Sequence, residues 1–181
     1  MKQTDVRLRP VTISDADELA NLANNRKIFD NVRDMIPHPY AMHDAIWFID
    51  ACGKDDPPLN LAIETGGRFC GMIGVVPQKD VHRLGAEIGY WIGEPYWGRG
   101  IATQAVAAMI HYAFTQFPFV RLYAGIFEHN AASMRVLEKN GFVKEGIGRK
   151  AIIKNGLVID EHRYALLKQD SPLIYTPSPR V

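Results

Sequence analysis

The stretch from Glu87 to Ala105 constrains the fold more than any other part of the chain. A strand-like run, Glu87–Ile92, leads through the turn Gly98-Arg99-Gly100 into a helix with a broad apolar stripe. Glycines lack the side chain that keeps an anion away from the backbone, and the free N–H groups at a helix start carry partial positive charge. The stretch therefore predicts a backbone site for a phosphate, to which Arg99 can add a charge-assisted contact. A tight turn without a ligand, with Arg99 in solvent, is the alternative.

Two common phosphate motifs fit this turn poorly. The Walker A loop requires Gly-Lys-Ser/Thr, which is absent here. A dinucleotide fingerprint requires a small third residue and an acidic residue about 20 positions later. Thr103 occupies the third place, and the later region offers Val120 and Arg121. A nucleotide-binding oxidoreductase is therefore disfavoured.

The length and composition bound the domain organisation. With 181 residues, of which 47% are hydrophobic, the chain is long enough for one domain with a real core and too short for two. We expect a single domain over residues 1–170 and a flexible, proline-containing tail over 171–181. The net charge of +1, with no lysine or arginine block, indicates neither a nucleic acid nor a membrane surface as partner.

The cysteines and the apolar runs indicate the compartment. Cys52 and Cys70 lack metal-ligand spacing and are too few for a disulfide framework, so we expect reduced, buried thiols and no metal. The N-terminus carries no apolar signal region, and no apolar run reaches the length of about 18 residues that spans a membrane. A cytoplasmic protein is the expectation.

The periodicity of apolar residues predicts an α+β architecture with a mixed central sheet flanked by helices. The predicted strands are Val6–Arg9, Leu59–Glu64, Phe69–Val76, Leu84–Ile92, Val120–Phe127, Phe142–Val143 and Leu157–Leu167. The predicted helices are one capped by Ser14 with Asp17, then His43–Cys52, the helix after Gly100, and Asn130–Asn140. The three middle strands should be antiparallel, and the unit from Glu87 to Phe127 should be a parallel crossover.

Three segments together resemble the GNAT superfamily of acetyl-coenzyme A-dependent N-acetyltransferases. They are Glu87-Ile-Gly-Tyr-Trp-Ile92, Tyr96-Trp-Gly-Arg-Gly-Ile-Ala-Thr103 and Asn130–Phe142, and the resemblance extends from Arg7 to about Lys168. Trp97 stands where the general pattern has Gln or Arg, but it looks like the branch that acetylates the N-termini of ribosomal proteins. The resemblance implies a single GNAT-like domain.

The resemblance also implies a cosubstrate site for acetyl-coenzyme A. The amides from Gly98 to Thr103 would hold its pyrophosphate, the strand Glu87–Ile92 would pair with its pantetheine arm, and Asn130 would contact that arm. The candidate cosubstrate-binding residues are Ile88, Tyr90, Trp91, Ile92, Gly98, Arg99, Gly100, Ile101, Ala102, Thr103 and Asn130. Sheet-core or pocket-wall roles are the alternative for Tyr90 and Trp91.

Two residues are candidates for the chemistry. By the resemblance, Ser133 lies close to the sulfur and protonates the leaving thiolate; the alternative is a first-turn serine beside the helix cap Asn130. An amine must lose a proton to attack, and Glu87 is the first candidate acceptor because it begins the strand expected beside the thioester; an exposed strand-end glutamate is the alternative. Some relatives carry an acid on the strand after the last helix, where this chain has Ile152.

The acceptor is the least determined part. Asn31–Tyr40 reads as a loop that contacts a ligand or as a solvated connection, and Tyr40 and His38 are candidates for the amine pocket or for packing. The expected function is acetyl transfer to a primary amine, with a protein N-terminal α-amino group as acceptor. One alternative is an acetyltransferase whose acceptor is a small amine. The other is a protein that binds acyl-coenzyme A as a sensor without catalysis. We expect a monomer or a homodimer.

Overall fold

The computed structural model describes residues 5–173. Seven strands form one sheet, and they are β1 Val6–Arg9, β2 Asn60–Thr65, β3 Arg68–Pro77, β4 Gly85–Ile92, β5 Arg121–Phe127, β6 Val143–Lys154 and β7 Leu157–Leu167. Five helices accompany the sheet, namely α1 Ala16–Ala23, α2 Arg26–Phe29, α3 Met42–Cys52, α4 Ile101–Gln116 and α5 Ala131–Lys139. Ser171, the first residue of the predicted tail, is buried, and residues 174–181 of that tail lie outside the described residues.

The strands lie in the order β1-β2-β3-β4-β5-β7-β6, and only β4 and β5 pair in parallel. The turn between β2 and β3 consists of Gly66 and Gly67, both with positive φ, as a tight hairpin requires. The helix α4 connects the two parallel strands. The mixed sheet, the antiparallel middle strands and the parallel crossover predicted from the sequence are confirmed.

The sheet splits between its two parallel strands. Strand β4 pairs with β5 only from Gly85 to Glu87, and Glu87 lies opposite Tyr123. Beyond this point β4 continues beside β3 as far as Ile92, while β5 continues beside β7 as far as Phe127. The second halves of the two strands therefore border a cleft, and no strand among residues 5–173 pairs with the backbone of β4 on that side.

Helices cover both faces of the sheet. The helix α4 buries an apolar stripe almost completely against one face, with Ala105, Val106, Met109, Ile110, Ala113 and Phe114 at its centre. The helices α1 and α3 pack on the other face with Ala62, Phe69 and Met72 of the sheet. Cys52 and Cys70 are free and buried, as predicted, and burial raises the pKa of both thiols to about 11.

The first helix starts differently from its prediction. The predicted cap was Ser14 with Asp17, but a 3-10 turn from Ile13 to Asp15 precedes α1, and Thr12 and Asp15 form the cap. The Thr12 amide donates to Asp15 Oδ2 at 2.9 Å, and the Asp15 amide donates to the Thr12 carbonyl at 2.9 Å. Arg9 of β1 also binds Asp15 through two hydrogen bonds of 2.7 Å. This contact from another element selects Asp15 over Asp17.

Strand β6 is much longer than predicted. Only Phe142–Val143 was assigned before Leu157, whereas β6 runs for 12 residues, from Val143 to Lys154. The strand lies at the sheet edge, most of its side chains are exposed, and its register with β7 shifts in two places. An edge strand with Gly146, Gly148 and many charges lacks the alternating pattern by which a half-buried strand is recognised.

Removing the Asp15 carboxylate should destabilise the fold in a pH-dependent way. The Arg9 guanidinium holds the pKa of Asp15 below its usual range. A carboxylate with a lowered folded-state pKa stabilises the protein above its unfolded pKa of about 3.9, and this contribution is lost as the pH falls. We expect Asp15→Asn to lower the free energy of unfolding by about 1–3 kcal/mol at pH 7. Urea denaturation should show this difference shrinking below pH about 4; a pH-independent difference would contradict the ion pair as its cause.

Candidate active site

The glycine turn before α4 forms an open backbone cradle, defined as Gly98 to Thr103. Gly98 and Gly100 have φ values of 75° and 74°, and Gly100 is the N-cap of α4 without any side-chain cap. No atom lies within 4 Å of the position that a Cβ at either glycine would take. The first amides of α4 have no acceptor within their own helix, so they can donate to an anion. This arrangement fits a diphosphate.

Side chains hold the cradle in place. Trp97 Nε1 donates to the Ile92 carbonyl at 2.6 Å, which fastens the turn to the end of β4. On the other side, the buried Asn140, which is the C-cap residue of α5, donates through Nδ2 to the Thr103 carbonyl at 3.2 Å. The Arg99 guanidinium lies 5.9 Å from the centre of the Tyr96 ring, a cation–π distance. The turn is predictable from the sequence, but the role of Asn140 is not, because its 37-residue separation from Thr103 leaves no local signal.

Several candidate cosubstrate residues have side chains that are packed inside the protein. The side chains of Ile88, Ile92 and Ile101 are buried in the core, so only their backbone groups can face a ligand. Trp91 packs edge-on against Phe69 at a ring distance of 6.2 Å, beside the layer of α1 and α3. The predicted contacts of these residues with the cosubstrate stay predictions.

Asn130, Ser133 and Tyr90 form one hydrogen-bonded group. Asn130 is the N-cap of α5, and its Oδ1 accepts a hydrogen bond of 3.1 Å from the Ser133 amide. The Ser133 hydroxyl lies 2.8 Å from the Tyr90 hydroxyl across the boundary between α5 and β4. Burial raises the pKa of Tyr90 to about 12, so the phenol stays protonated at neutral pH. The structure thus places a hydroxyl pair beside β4.

Glu87 lies at the point where the sheet splits. It is the last residue of β4 that pairs with β5, and its half-buried carboxylate forms an ion pair with Arg33. Arg33 belongs to the segment Asn31–Tyr40, which connects α2 and α3 without regular secondary structure. The sequence indicated this segment as a candidate ligand loop but did not single out Arg33. Arg33 is exposed in this pair, and a carboxylate at this position has oxygen lone pairs with which it can accept a proton.

A groove of about 670 Å³ extends from Glu87 across β5 and β7. Its charged lining consists of three ion pairs between Glu87 and Arg33, Glu145 and Arg121, and Glu161 and Arg163. Gly125 lets the Glu161 side chain lie directly against the backbone of β5, because a Cβ there would come within 2.4 Å of Glu161 Oε1. The alternation of Arg121, Tyr123 and Gly125 with buried Leu122, Ala124 and Ile126 was the available sequence signal for this surface.

Tyr40 and His38 lie in packed surroundings. The Tyr40 side chain is 8% exposed among the residues of α1 and α3, and its burial raises the pKa to about 12. The His38 ring stacks on Phe29 at 5.4 Å. Phe29 also lies 3.5 Å from Lys154 Nζ, which donates to Asp34 at 2.6 Å and so joins the loop to β6. A role of Tyr40 or His38 in substrate binding stays a prediction.

Within residues 5–173, no helix is long and apolar enough to cross a membrane. In the same part of the chain, no group of three or more His, Cys, Asp or Glu side chains is placed to hold a metal ion.

Comparisons with known proteins identify the family of this chain. The family model described as "Acetyltransferase (GNAT) domain" matches residues 5–143. The probable N-acetyltransferase YjcK of Bacillus subtilis is 31% identical over 94% of this chain and 98% of its own. The spermidine N(1)-acetyltransferase of Escherichia coli is 28% identical over 88% of each chain.

Among solved structures, RimJ of Mycobacterium smegmatis in complex with a coenzyme A disulfide superposes with a TM-score of 0.79. The identity is 25%, over 92% of this chain and 84% of that one. The family model covers more than half of the chain, and the match to YjcK covers nearly all of it. The chain therefore belongs to the GNAT family and is an acetyl-coenzyme A-dependent N-acyltransferase.

Proposed function

We propose that this enzyme transfers the acetyl group of acetyl-coenzyme A to the N-terminal α-amino group of a protein or peptide. When bound, acetyl-coenzyme A supplies the acetyl group as a thioester; attack of a neutral amine on its carbonyl carbon forms the amide and releases the thiol. The residues of the chain bind and orient the two substrates, take the proton from the amine and return a proton to the sulfur.

The cradle would bind the diphosphate of the cosubstrate. The Cβ positions of Gly98 and Gly100 are open, and the positive end of α4, which starts at this turn, favours an anion there. The unpaired side of β4 would then receive the amide groups of the pantetheine arm, as a neighbouring strand would. Bound in this way, the cosubstrate would have its thioester near the point where β4 and β5 part, beside Glu87.

Glu87 is the proposed proton acceptor. Its carboxylate borders both the cleft and the groove, so an amine entering through the groove meets it before the thioester. An α-amino group has a pKa of about 8, so most of it is protonated at neutral pH and requires such a base. Arg33 would orient the carboxylate, and the accepted proton returns to solvent through the exposed side of the pair.

Ser133 is the proposed acid on the opposite side of the cleft. Its hydroxyl would give a proton to the departing sulfur, which forms the thiol, and the serine would recover a proton from solvent. The helix start at Asn130 holds Ser133 in a fixed position, because the Asn130 side chain binds the Ser133 amide. The same group carries the hydrogen bond to Tyr90.

The groove beside Glu87 supports a peptide acceptor. It is an open groove across three strands, and each of its three carboxylates is neutralised by an arginine. A polycation is best bound by an enclosed pocket with an unneutralised acidic wall, whereas an extended peptide needs length, mixed polarity and access. The paired charges are the observation that carries this proposal. A cytoplasmic location, and a monomer or homodimer, stay predictions from the sequence.

Release of coenzyme A with a panel of amines tests the choice of acceptor. The panel comprises short peptides with free N-termini, the same peptides with acetylated N-termini, and spermidine. We expect the free peptides to stimulate release and the blocked peptides to be inactive. Stimulation by spermidine alone would replace the proposal with small-amine acetylation, the activity in the name of the Escherichia coli relative. Binding of acetyl-coenzyme A without release by any amine would favour a sensor.

A further inference from the structure

We propose that Tyr90 is a positioning residue for Ser133. Its phenolic O–H donates a hydrogen bond to Ser133 Oγ, so that the serine keeps its own proton available for the sulfur in the cleft. This inference rests on the proposed role of Ser133 as the acid, and it assigns to Tyr90 a task beyond that of a pocket wall.

The distance between the two hydroxyls allows either one to donate, and the greater acidity of the phenol favours Tyr90 as the donor. Tyr90 Oη lies 2.8 Å from Ser133 Oγ and 3.3 Å from the Ser133 carbonyl oxygen, so both acceptors near the phenol belong to Ser133. The carbonyl can only accept, and a serine hydroxyl offers one proton and two lone pairs. If the phenol donates to Oγ, the serine proton is not used in this contact and would be available to the sulfur in the cleft.

The surroundings of Ser133 support a dedicated contact. Ser133 lies in the first turn of α5, so α5 has no carbonyl one full turn earlier to accept from its hydroxyl. Ser133 instead uses its hydroxyl for Tyr90, while its amide is bound by Asn130. The N-cap of α5 and the strand β4 thus hold Ser133 from two directions.

The acidity of a phenol explains why such a contact helps. Negative charge develops on Oγ as its proton leaves, and a phenol stabilises that charge better than water or an amide because it is the stronger acid. Burial keeps Tyr90 in its protonated form at neutral pH, so it acts as a donor throughout the working range.

A double-mutant cycle with Ser133→Ala and Tyr90→Phe tests the coupling, and its first readout is binding. Titration calorimetry measures the affinities for coenzyme A and for desulfo-coenzyme A, which lacks the sulfur. In the wild-type protein the sulfur-containing ligand should bind more tightly. We expect Tyr90→Phe to reduce this preference about threefold to tenfold and to have no further effect when Ser133 is already alanine.

Turnover gives the second readout. Tyr90→Phe should lower kcat about threefold to tenfold with an unchanged KM for acetyl-coenzyme A, and it should have no effect in the Ser133→Ala background. Tyr112→Phe is the matched control. It also removes the hydroxyl of a partly buried tyrosine, but this hydroxyl donates to the Pro58 carbonyl at 2.9 Å, away from the cleft. This control should leave both readouts unchanged.

Two different results would separate the two ideas. Equal effects of Tyr90→Phe with and without the Ser133 hydroxyl, or a raised KM with unchanged kcat, would overturn the positioning role and leave Tyr90 as a wall of the pocket. Wild-type turnover in Ser133→Ala would instead refute the proposed acid, whatever Tyr90→Phe does.

Discussion

Gly100→Trp should weaken acetyl-coenzyme A binding by at least about 100-fold, because losing two charge-assisted hydrogen bonds to the diphosphate costs about 3 kcal/mol or more. The indole would fill the space beside the backbone that is open within 4 Å of the Cβ position. The residue also has a φ of 74°, so the substitution adds backbone strain of about 1–2 kcal/mol. Titration calorimetry with acetyl-coenzyme A measures the loss.

Gly67→Trp is the matched control for this substitution. Gly67 has a φ of 75° and, like Gly100, no atom within 4 Å of its Cβ position, but it lies in the turn between β2 and β3. The control therefore carries a similar backbone strain and the same bulky side chain. It should lower the melting temperature while leaving the affinity for acetyl-coenzyme A unchanged. Equal losses of affinity in the two variants, or none in Gly100→Trp, would contradict a phosphate cradle at Gly98–Thr103.

Glu87→Gln should lower kcat by about 100-fold to 10,000-fold, the usual contribution of a general base. The amide is nearly isosteric with the carboxylate but accepts no proton at neutral pH. Because a free α-amino group loses its proton unaided at a pH above about 8, the deficit should shrink as the pH rises toward that value. Initial rates of the wild-type and variant proteins, measured with saturating acetyl-coenzyme A between pH 6.5 and about 9, give the ratio of the two kcat values at each pH.

Glu145→Gln provides the comparison within the same groove. Glu145 is also a groove carboxylate with an arginine partner, but Arg121 holds both of its oxygens. Removing its charge should change kcat by less than about threefold, since exposed ion pairs contribute up to about 1 kcal/mol. A kcat deficit in Glu87→Gln that is small, or that stays constant with pH, would assign the proton to another group.

Much of the fold and of the cosubstrate site follows from local sequence patterns. The cradle was predictable because positive φ values demand glycine at 98 and 100, and because the apolar stripe of α4 begins directly afterwards. Asn130 and Ser133 were predictable as a helix start, and the alternating run before Ile92 as a strand. In each case the residues that determine the structure are neighbours in sequence.

The acceptor side depends on contacts that no local pattern encodes. Arg33 and Glu87 are 54 residues apart, and Tyr90 and Ser133 are 43 residues apart. The edge strand β6 is not predicted because exposure on both faces removes the apolar alternation. Contacts between residues far apart in sequence form only when the fold packs together. The sequence could therefore predict single side chains as candidates for the acceptor side, but not which of them bind each other.

The most direct test of the proposed function is the position of the acetyl group in the product. A library of peptides with varied first residues, each with a free α-amino group and an internal lysine, would be mixed with spermidine, the enzyme and acetyl-coenzyme A. Tandem mass spectrometry then locates the added acetyl group. We expect it on the α-nitrogen of a subset of peptides, and only with active enzyme. Acetyl groups confined to lysine side chains or to spermidine would contradict a protein N-terminal acetyltransferase.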